Sequence, residues 1–173
     1  MRPLDGTGLK RLHRSWRHRS EGRVGLILDN VQSPFNVGAI VRTAAAYRVD
    51  HAWLVGATPE LDGAKVRTTA LGCERYLTWE RSDTVTDAIA GARADGYSPV
   101  ALELADGATP LHELALSGDV CLVIGHEDRG LSPSTLDACD AVAYLPLLGR
   151  VGSLNVATAT AIALYELRRQ RWS

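Results

Sequence analysis

Five polar residues are spaced as if to serve a ligand: Asn36, Arg42, Glu127, Ser153 and Asn155. Three of them follow apolar runs that end in Gly-containing turns. Val120–Ile124 leads into Gly125-His126-Glu127-Asp128-Arg129-Gly130. Ala141–Leu148 leads into Gly149-Arg150-Val151-Gly152-Ser153, and the longest helical pattern of the chain comes next. Loops at the carboxyl ends of buried strands, one of them feeding a helix, form a natural ligand site in an α/β protein. Several familiar chemistries are excluded. Gly125 and Gly130 have the GxxxxG spacing of a phosphate loop, but Leu131-Ser132 stands where that motif needs Lys-Ser/Thr. No GxGxxG follows the first strand, which argues against a dinucleotide site. No GxSxG elbow marks a serine nucleophile.

The elements that must position these residues alternate. Val24–Asn30 reads as a buried strand. A turn at Val31–Pro34 then opens a helix from Phe35 that carries Asn36 near its start and Arg42 from its second turn. Gly38 between them weakens a helix by up to ~1 kcal/mol and marks the close approach of a backbone or a ligand. Further strands are expected at His51–Val55, Tyr76–Trp79, Pro99–Leu104, Val120–Ile124 and Ala141–Leu147. Ala64–Gly72 reads as helical or irregular. A helix capped by Ser82 or Asp83 runs to Ala94. His112–Leu116 is a minor helical turn, and Ser132-Pro133 starts a short helix. Leu154–Arg169 is the final helix, with Leu154, Ala157, Ala161, Leu164 and Tyr165 on one face and Arg168, Arg169 and Arg171 complementing its C-terminal dipole. Strands alternating with helices give an α/β fold with a mainly parallel sheet.

At 173 residues the chain suits one domain, and its net charge of -1 predicts no partner. The distribution says more. Through Arg23 seven basic residues face two acidic ones, a net +5, and the remainder carries 12 against 18, a net −6. A basic arm over residues 1–22, ahead of an acidic body at 23–173, is a nucleic-acid cue and equally the pattern of a solvated helix or tail. In the arm Leu9, Leu12 and Trp16 share one side at helical spacing. Trp16 could stack on a base or dock the arm on the body. Cys73, Cys121 and Cys139 form no CxxC, and the five histidines have no metal spacing, so neither a disulfide framework nor a metal is expected. This usage fits a reducing cytoplasm. Neither a membrane span nor a signal-peptide core is present in the sequence.

Three segments together resemble a known family. Asn36-Val37-Gly38-Ala39-Ile40-Val41-Arg42 matches N-x-G-A-[IV]-x-R. Gly125 through Leu131 matches G-x-E-x-x-G-[LI]. Pro146 through Val156 matches P-[LM]-x-G-x-x-x-S-L-N-V. In this order and at these separations they are similar to the motifs of the SpoU/TrmH branch of the SPOUT superfamily, RNA ribose methyltransferases. The resemblance runs from about Val24 to Leu167. It implies a parallel sheet with flanking helices and a deep C-terminal trefoil knot, a rare device. It also implies a homodimer with a site shared between subunits. The implied activity is S-adenosylmethionine-dependent methyl transfer to a ribose 2′-hydroxyl of RNA. A compact acceptor such as tRNA is preferred over rRNA. The alternatives are a non-catalytic knotted RNA-binding or assembly factor, or another methyl acceptor.

By family position, Leu104 with its neighbours, Gly125, Leu145, Leu147, Ser153, Leu154 and Asn155 would bind the cofactor, and Arg42, Asn36, Glu127 and Asn155 would serve catalysis. A guanidinium keeps its proton, so Arg42 is awkward as a base. Gripping a phosphate or stabilising the developing alkoxide fits it more easily. Asn36 would orient the ribose or Arg42. Glu127 would anchor Arg42 or a backbone donor, or form a structural ion pair. Ser153 and Asn155 could cap the last helix as well as touch a ligand. His126 is a conceivable base or a turn former. Arg67, in a segment similar to one in tRNA-acting members, and Arg11 and Arg14 in the arm are candidates for RNA contact.

Overall fold

The computed structural model describes residues 2–173. Its seven strands are β1 (Val24–Asp29), β2 (His51–Val55), β3 (Thr78–Ser82), β4 (Tyr97–Leu102), β5 (Thr109–Pro110), β6 (Asp119–Ile124) and β7 (Ala141–Tyr144). They form one sheet in the order β3-β2-β1-β6-β4-β7-β5, and every pairing is parallel. The helices are α1 (Gly6–His18), α2 (Pro34–Ala46), α3 (Ala64–Ala70), α4 (Val85–Ala94), α5 (Pro133–Ala138) and α6 (Val156–Arg169). Among the described residues no helix is long and apolar enough to cross a membrane.

The central strands are apolar along their length because both faces are covered. In β1, Leu26 and Leu28 enter a core shared with α2, α3 and α6, while Ile27 faces the opposite core with Ala88, Ile89 and Ala92 of α4. The strand order reverses direction between β1 and β6. The loops that leave their carboxyl ends therefore diverge and open a crevice, the usual ligand position in such sheets.

Several element expectations shift. The Tyr76–Trp79 strand is instead a 3-10 turn, Cys73–Tyr76, and β3 begins at Thr78. β3 lies at the sheet edge, so it needs no continuous apolar run, and Thr-Trp-Glu-Arg-Ser gives little signal. Thr84, not Ser82 or Asp83, caps α4: its hydroxyl accepts from Asp87 N at 3.1 Å. The turn expected at His112–Leu116 is a single hydrogen-bonded turn that ends earlier, Glu113 N donating to Pro110 O at 2.9 Å, directly after the two-residue strand β5 that pairs with β7. β7 stops at Tyr144, and Leu145–Leu147 leave the sheet.

In α6 the core face is Ala157, Thr160, Ala163, Leu164 and Leu167, while Tyr165 is 44% exposed. Thr160 can be buried because its hydroxyl donates to Val156 O at 2.7 Å, so a polar residue holds a core position that apolar spacing overlooks. Arg168 does not serve as a solvated dipole partner. It is buried, with Nε 2.7 Å from Tyr47 O and Nη1 2.9 Å from Gly22 O; Nη2 donates to Arg48 O and lies 3.7 Å from the Asp50 carboxylate. Burial lowers its pKa, and Asp50 opposes that pull. Arg168 thus satisfies carbonyls where α2 ends and β1 begins. The arm is helical from Gly6 with no buried residue. Trp16 lies 5.0 Å from Trp172 with the rings tilted at 53°, and Trp172 lies 5.4 Å from Tyr165.

Candidate active site

A cleft of about 310 Å³ lies across the carboxyl ends of β4, β6 and β7, on the β4 side of the point where the β1 and β6 loops diverge. Leu102–Leu104, Ile124–Gly130, Tyr144, Leu145 and Leu147 line it, and Gly152–Leu154 close it. The volume lies in the range of small-molecule sites, and the lining mixes leucines with polar side chains, Glu103, His126, Glu127, Asp128 and Arg129 among them. Of the seven residues expected to bind a cofactor, Leu104, Gly125, Leu145, Leu147, Ser153 and Leu154 line this cleft. Asn155 does not. Its side chain is engaged elsewhere: Oδ1 accepts from Ala157 N at 3.0 Å and Thr158 N at 3.3 Å, capping α6. Ser153 makes no such cap, so the capping alternative holds for Asn155 only.

Beside the cleft, three distant segments meet in a chain of hydrogen bonds. Glu127 Oε1 accepts from Ser33 N at 2.9 Å and from Asn36 Nδ2 at 3.1 Å, and Oε2 accepts from Gln32 N at 3.1 Å. Asn36 Oδ1 accepts from Asn155 Nδ2 at 3.0 Å. Burial alone would push the Glu127 carboxyl up. The Ser33, Asn36 and Gln32 donors outweigh it and hold Glu127 below the ordinary glutamate value. The receiving loop is itself fixed. Asn30 turns the chain at φ 57°, and Thr58 Oγ1 donates to Leu28 O at 2.9 Å while accepting from Val31 N at 3.1 Å. Ser33 then caps α2 with Pro34 in its first turn.

Of the roles considered for Glu127, the structure contains the contact to backbone donors. Glu127 makes no contact with Arg42 among its hydrogen bonds and ion pairs. Arg42 is the ninth residue of α2, one turn later than its expected position, and is exposed. It has no hydrogen-bond or ion-pair partner among the described residues. Gly38 is explained by packing. A Cβ there would lie 2.6 Å from Val66 O and 2.7 Å from Thr69 Cβ, so the glycine lets α2 seat on α3. His126 Nδ1 accepts from Asp128 N at 3.0 Å, a turn-forming contact. Arg11 and Arg14 are exposed on α1, and Arg67 Nε lies 3.3 Å from Glu74 Oε1 while staying largely exposed. No group of three or more metal-binding side chains occurs among the described residues.

Family position puts the neighbours of Leu104 in the pocket but gives Glu103 no role; it lines the cleft and bonds to two backbone amides. It follows a strand without any motif around it, and its partner Leu131 is 28 residues away.

An all-parallel sheet with its cleft at the strand carboxyl ends, and three converging motif loops, define an α/β enzyme-like site. Comparison with known proteins narrows this. The model of the SpoU rRNA Methylase family matches residues 23–165. The chain is 37% identical over 153 residues to the 23S rRNA (guanosine-2'-O-)-methyltransferase RlmB of Coxiella burnetii, covering 84% of this chain and 58% of that protein. It is 31% identical over 156 residues to the tRNA (guanosine(18)-2'-O)-methyltransferase of Escherichia coli K12, covering 88% and 66%. The structure of an AdoMet-bound rRNA methyltransferase from Sinorhizobium meliloti superposes with a TM-score of 0.81 at 34% identity, over 90% of this chain and 59% of that one. The chain thus spans less than two thirds of the length of these three proteins. It belongs to the SpoU rRNA Methylase family.

Proposed function

We propose that this chain binds S-adenosylmethionine in the cleft and directs its methyl group to a ribose 2′-hydroxyl of RNA. The observation that carries this reading is the junction of the two sides. The loop that walls the cleft, Gly125–Gly130, also carries Glu127, which holds the start of α2, the helix that presents Arg42. The residues present fit the cofactor. Leu102, Leu104, Leu145, Leu147 and Leu154 offer an apolar bed, and the irregular backbone between them offers N–H and C=O groups for a purine edge. When bound, S-adenosylmethionine supplies an electrophilic methyl, so the protein's task is alignment and charge management. Glu127, Asn36 and Asn155 are consumed by one another and orient rather than react. Arg42 has no hydrogen-bond or ion-pair partner among the described residues and so stays available. On an exposed helix face it can grip an RNA phosphate through two parallel hydrogen bonds and stabilise the developing alkoxide.

The same reading includes a homodimer. Its support is the outer face of α6, where Ile162 and Tyr165 are each 44% exposed next to α2. A partner on that face would bring one subunit's Arg42 toward the other's cleft. It includes the trefoil knot as well. The chain leaves β7 between β4 and β5, yet α6 returns to pack on α2, and the segment 145–155 that makes this passage is where the knot would close. Among RNAs we put forward tRNA. Outside the cleft the basic groups are local, Arg11 and Arg14 on α1 and Arg67 on α3, a footprint suited to a compact RNA in an otherwise acidic body.

The test is transfer of labelled methyl from S-adenosylmethionine to total tRNA and, separately, to rRNA, followed by mass spectrometry of the nucleosides. A 2′-O-methylnucleoside from tRNA is expected. Arg42→Ala should abolish transfer, by at least about 100-fold, while binding cofactor normally by calorimetry. Methylation of a base, or full activity in that variant, would overturn the reading. No cofactor binding at all would point to a non-catalytic RNA-binding protein.

A further inference from the structure

Glu103 is the first residue beyond β4, and its backbone N–H still pairs with Ala143 O of β7 at 2.9 Å. Its side chain turns along the cleft wall. Oε2 accepts from Leu131 N at 2.9 Å, and Oε1 accepts from its neighbour Leu104 N at 3.1 Å. Only a carboxylate offers two acceptor oxygens to two N–H donors in this way. The turn that Glu103 grips is closed on itself. Gly130 N donates to His126 O at 2.9 Å, and a Cβ on Gly125 would lie 2.5 Å from Gly130 C. Gly130 has φ +63°, and a Cβ there would fall 2.2 Å from Glu103 Oε2. This glycine is required twice, by its backbone conformation and by the carboxylate seated against it.

The turn therefore has a carboxylate at each end of its work. Glu103 comes in from β4 and fixes its base. Glu127 goes out from its middle and fixes the loop after β1 and the start of α2. The clamps lie in series, β4 to the β6 turn to α2, and Asn36 extends the series to Asn155 at the head of α6. A tight turn held at its base transmits displacement because its backbone has no slack.

We infer that Glu103 is a positioning residue: by fixing the Gly125–Leu131 turn it sets the position of Glu127, and so couples the cleft to the helix that carries Arg42. The kinetic consequence rests on the methyl-transfer reading above, whereas the structural consequence does not.

Two measurements test it. The first uses the cofactor-free, ¹⁵N-labelled 173-residue chain. Glu103→Ala should move the backbone amide resonances of Gln32 and Ser33, which Glu103 does not touch, as well as that of Leu131. Glu103→Gln, which keeps one acceptor, should move them less and serves where the alanine variant does not fold. A shifted Leu131 with Gln32 and Ser33 unmoved would overturn the inference. The second is a double-variant cycle on kcat/KM for RNA. Glu103→Ala and Glu127→Ala should each cost roughly tenfold, the worth of one charge-assisted hydrogen bond. Acting in series, the double variant should be little worse than the worse single one. Independent losses that multiply to about 100-fold would sink the coupling. Because the amide measurement needs no activity, a protein that methylates no RNA still leaves the positioning role open to confirmation or rejection.

Discussion

Glu127→Gln removes a charge at nearly constant volume, and the geometry says which contacts survive. The Gln amide oxygen can take the place of Oε1 and keep Ser33 N and Asn36 Nδ2 as donors, now to a neutral acceptor. Its NH₂ then stands where Oε2 was and faces the Gln32 N–H, donor against donor. One charge-assisted hydrogen bond is lost and two are weakened. Hydrogen bonds to charged groups are worth about 1.5–3 kcal/mol each. Glu127 is only half-buried, so water and screening take back much of that. A net destabilisation of about 1–2 kcal/mol remains, a factor of roughly 5–30 in the folding equilibrium. The pH dependence follows from the direction of the shift. Glu127 is held below its ordinary pKa, so its contribution is fully present above the unfolded-state value near ~4.3. It disappears as pH falls through the lower folded-state value, because both states are then protonated. Urea unfolding of both proteins should show the full difference at neutral pH and a smaller one as pH drops below ~4. A difference that is equal at both pH values, or zero at neutral pH, would refute the argument that the ionised carboxylate clamps the loop.

Two further substitutions address other parts of the frame. Asn155→Ala removes the α6 cap and the bond to Asn36, and should lower stability by about 1 kcal/mol; Asn155→Ser keeps a cap but cannot reach Asn36. Equal methyl-transfer rates in Asn155→Ser and the parent protein would show that the Asn36 link has no functional weight. Arg168→Met keeps the buried volume but leaves carbonyls of Tyr47, Arg48 and Gly22 without a donor, and Asp50 without its cation. A loss of about 3–5 kcal/mol is expected in denaturant unfolding, and a change below about 1 kcal/mol would mean that water replaces the guanidinium.

The motif residues could be picked out from their order along the chain because each lies next to strong local signals. Val24–Leu28 and Val120–Ile124 are continuous apolar runs that only a doubly covered strand requires. Ser33-Pro34 and Asn155 carry capping chemistry, and Gly125 and Gly130 carry turn chemistry. These are properties of neighbours in sequence, so sequence suffices to place Asn36, Glu127 and Asn155 at loop–helix junctions. The resemblance of the motifs, rather than these local signals, singled out the six expected cofactor residues that line the one cleft. Local signals could not reveal which partner each polar group would choose. Glu127 was open between Arg42 and a backbone donor, and the strand order decides this by setting the β6 turn against the loop after β1. Asn155 turns to its own helix and to Asn36, away from the cleft, and Gly38 makes room for α3. Arg168 looked like a surface cation until α6 packed it onto the carbonyls that end α2. Glu103 had no signal for its role, since a carboxylate's worth depends on which amides stand within 3 Å of it. The sequence determined the elements and the chemistry available at their ends, because propensity and periodicity act between near neighbours. The tertiary structure alone decided the pairings, because a hydrogen bond between residues 28, 91 or 119 positions apart exists only once the sheet order has brought their loops together.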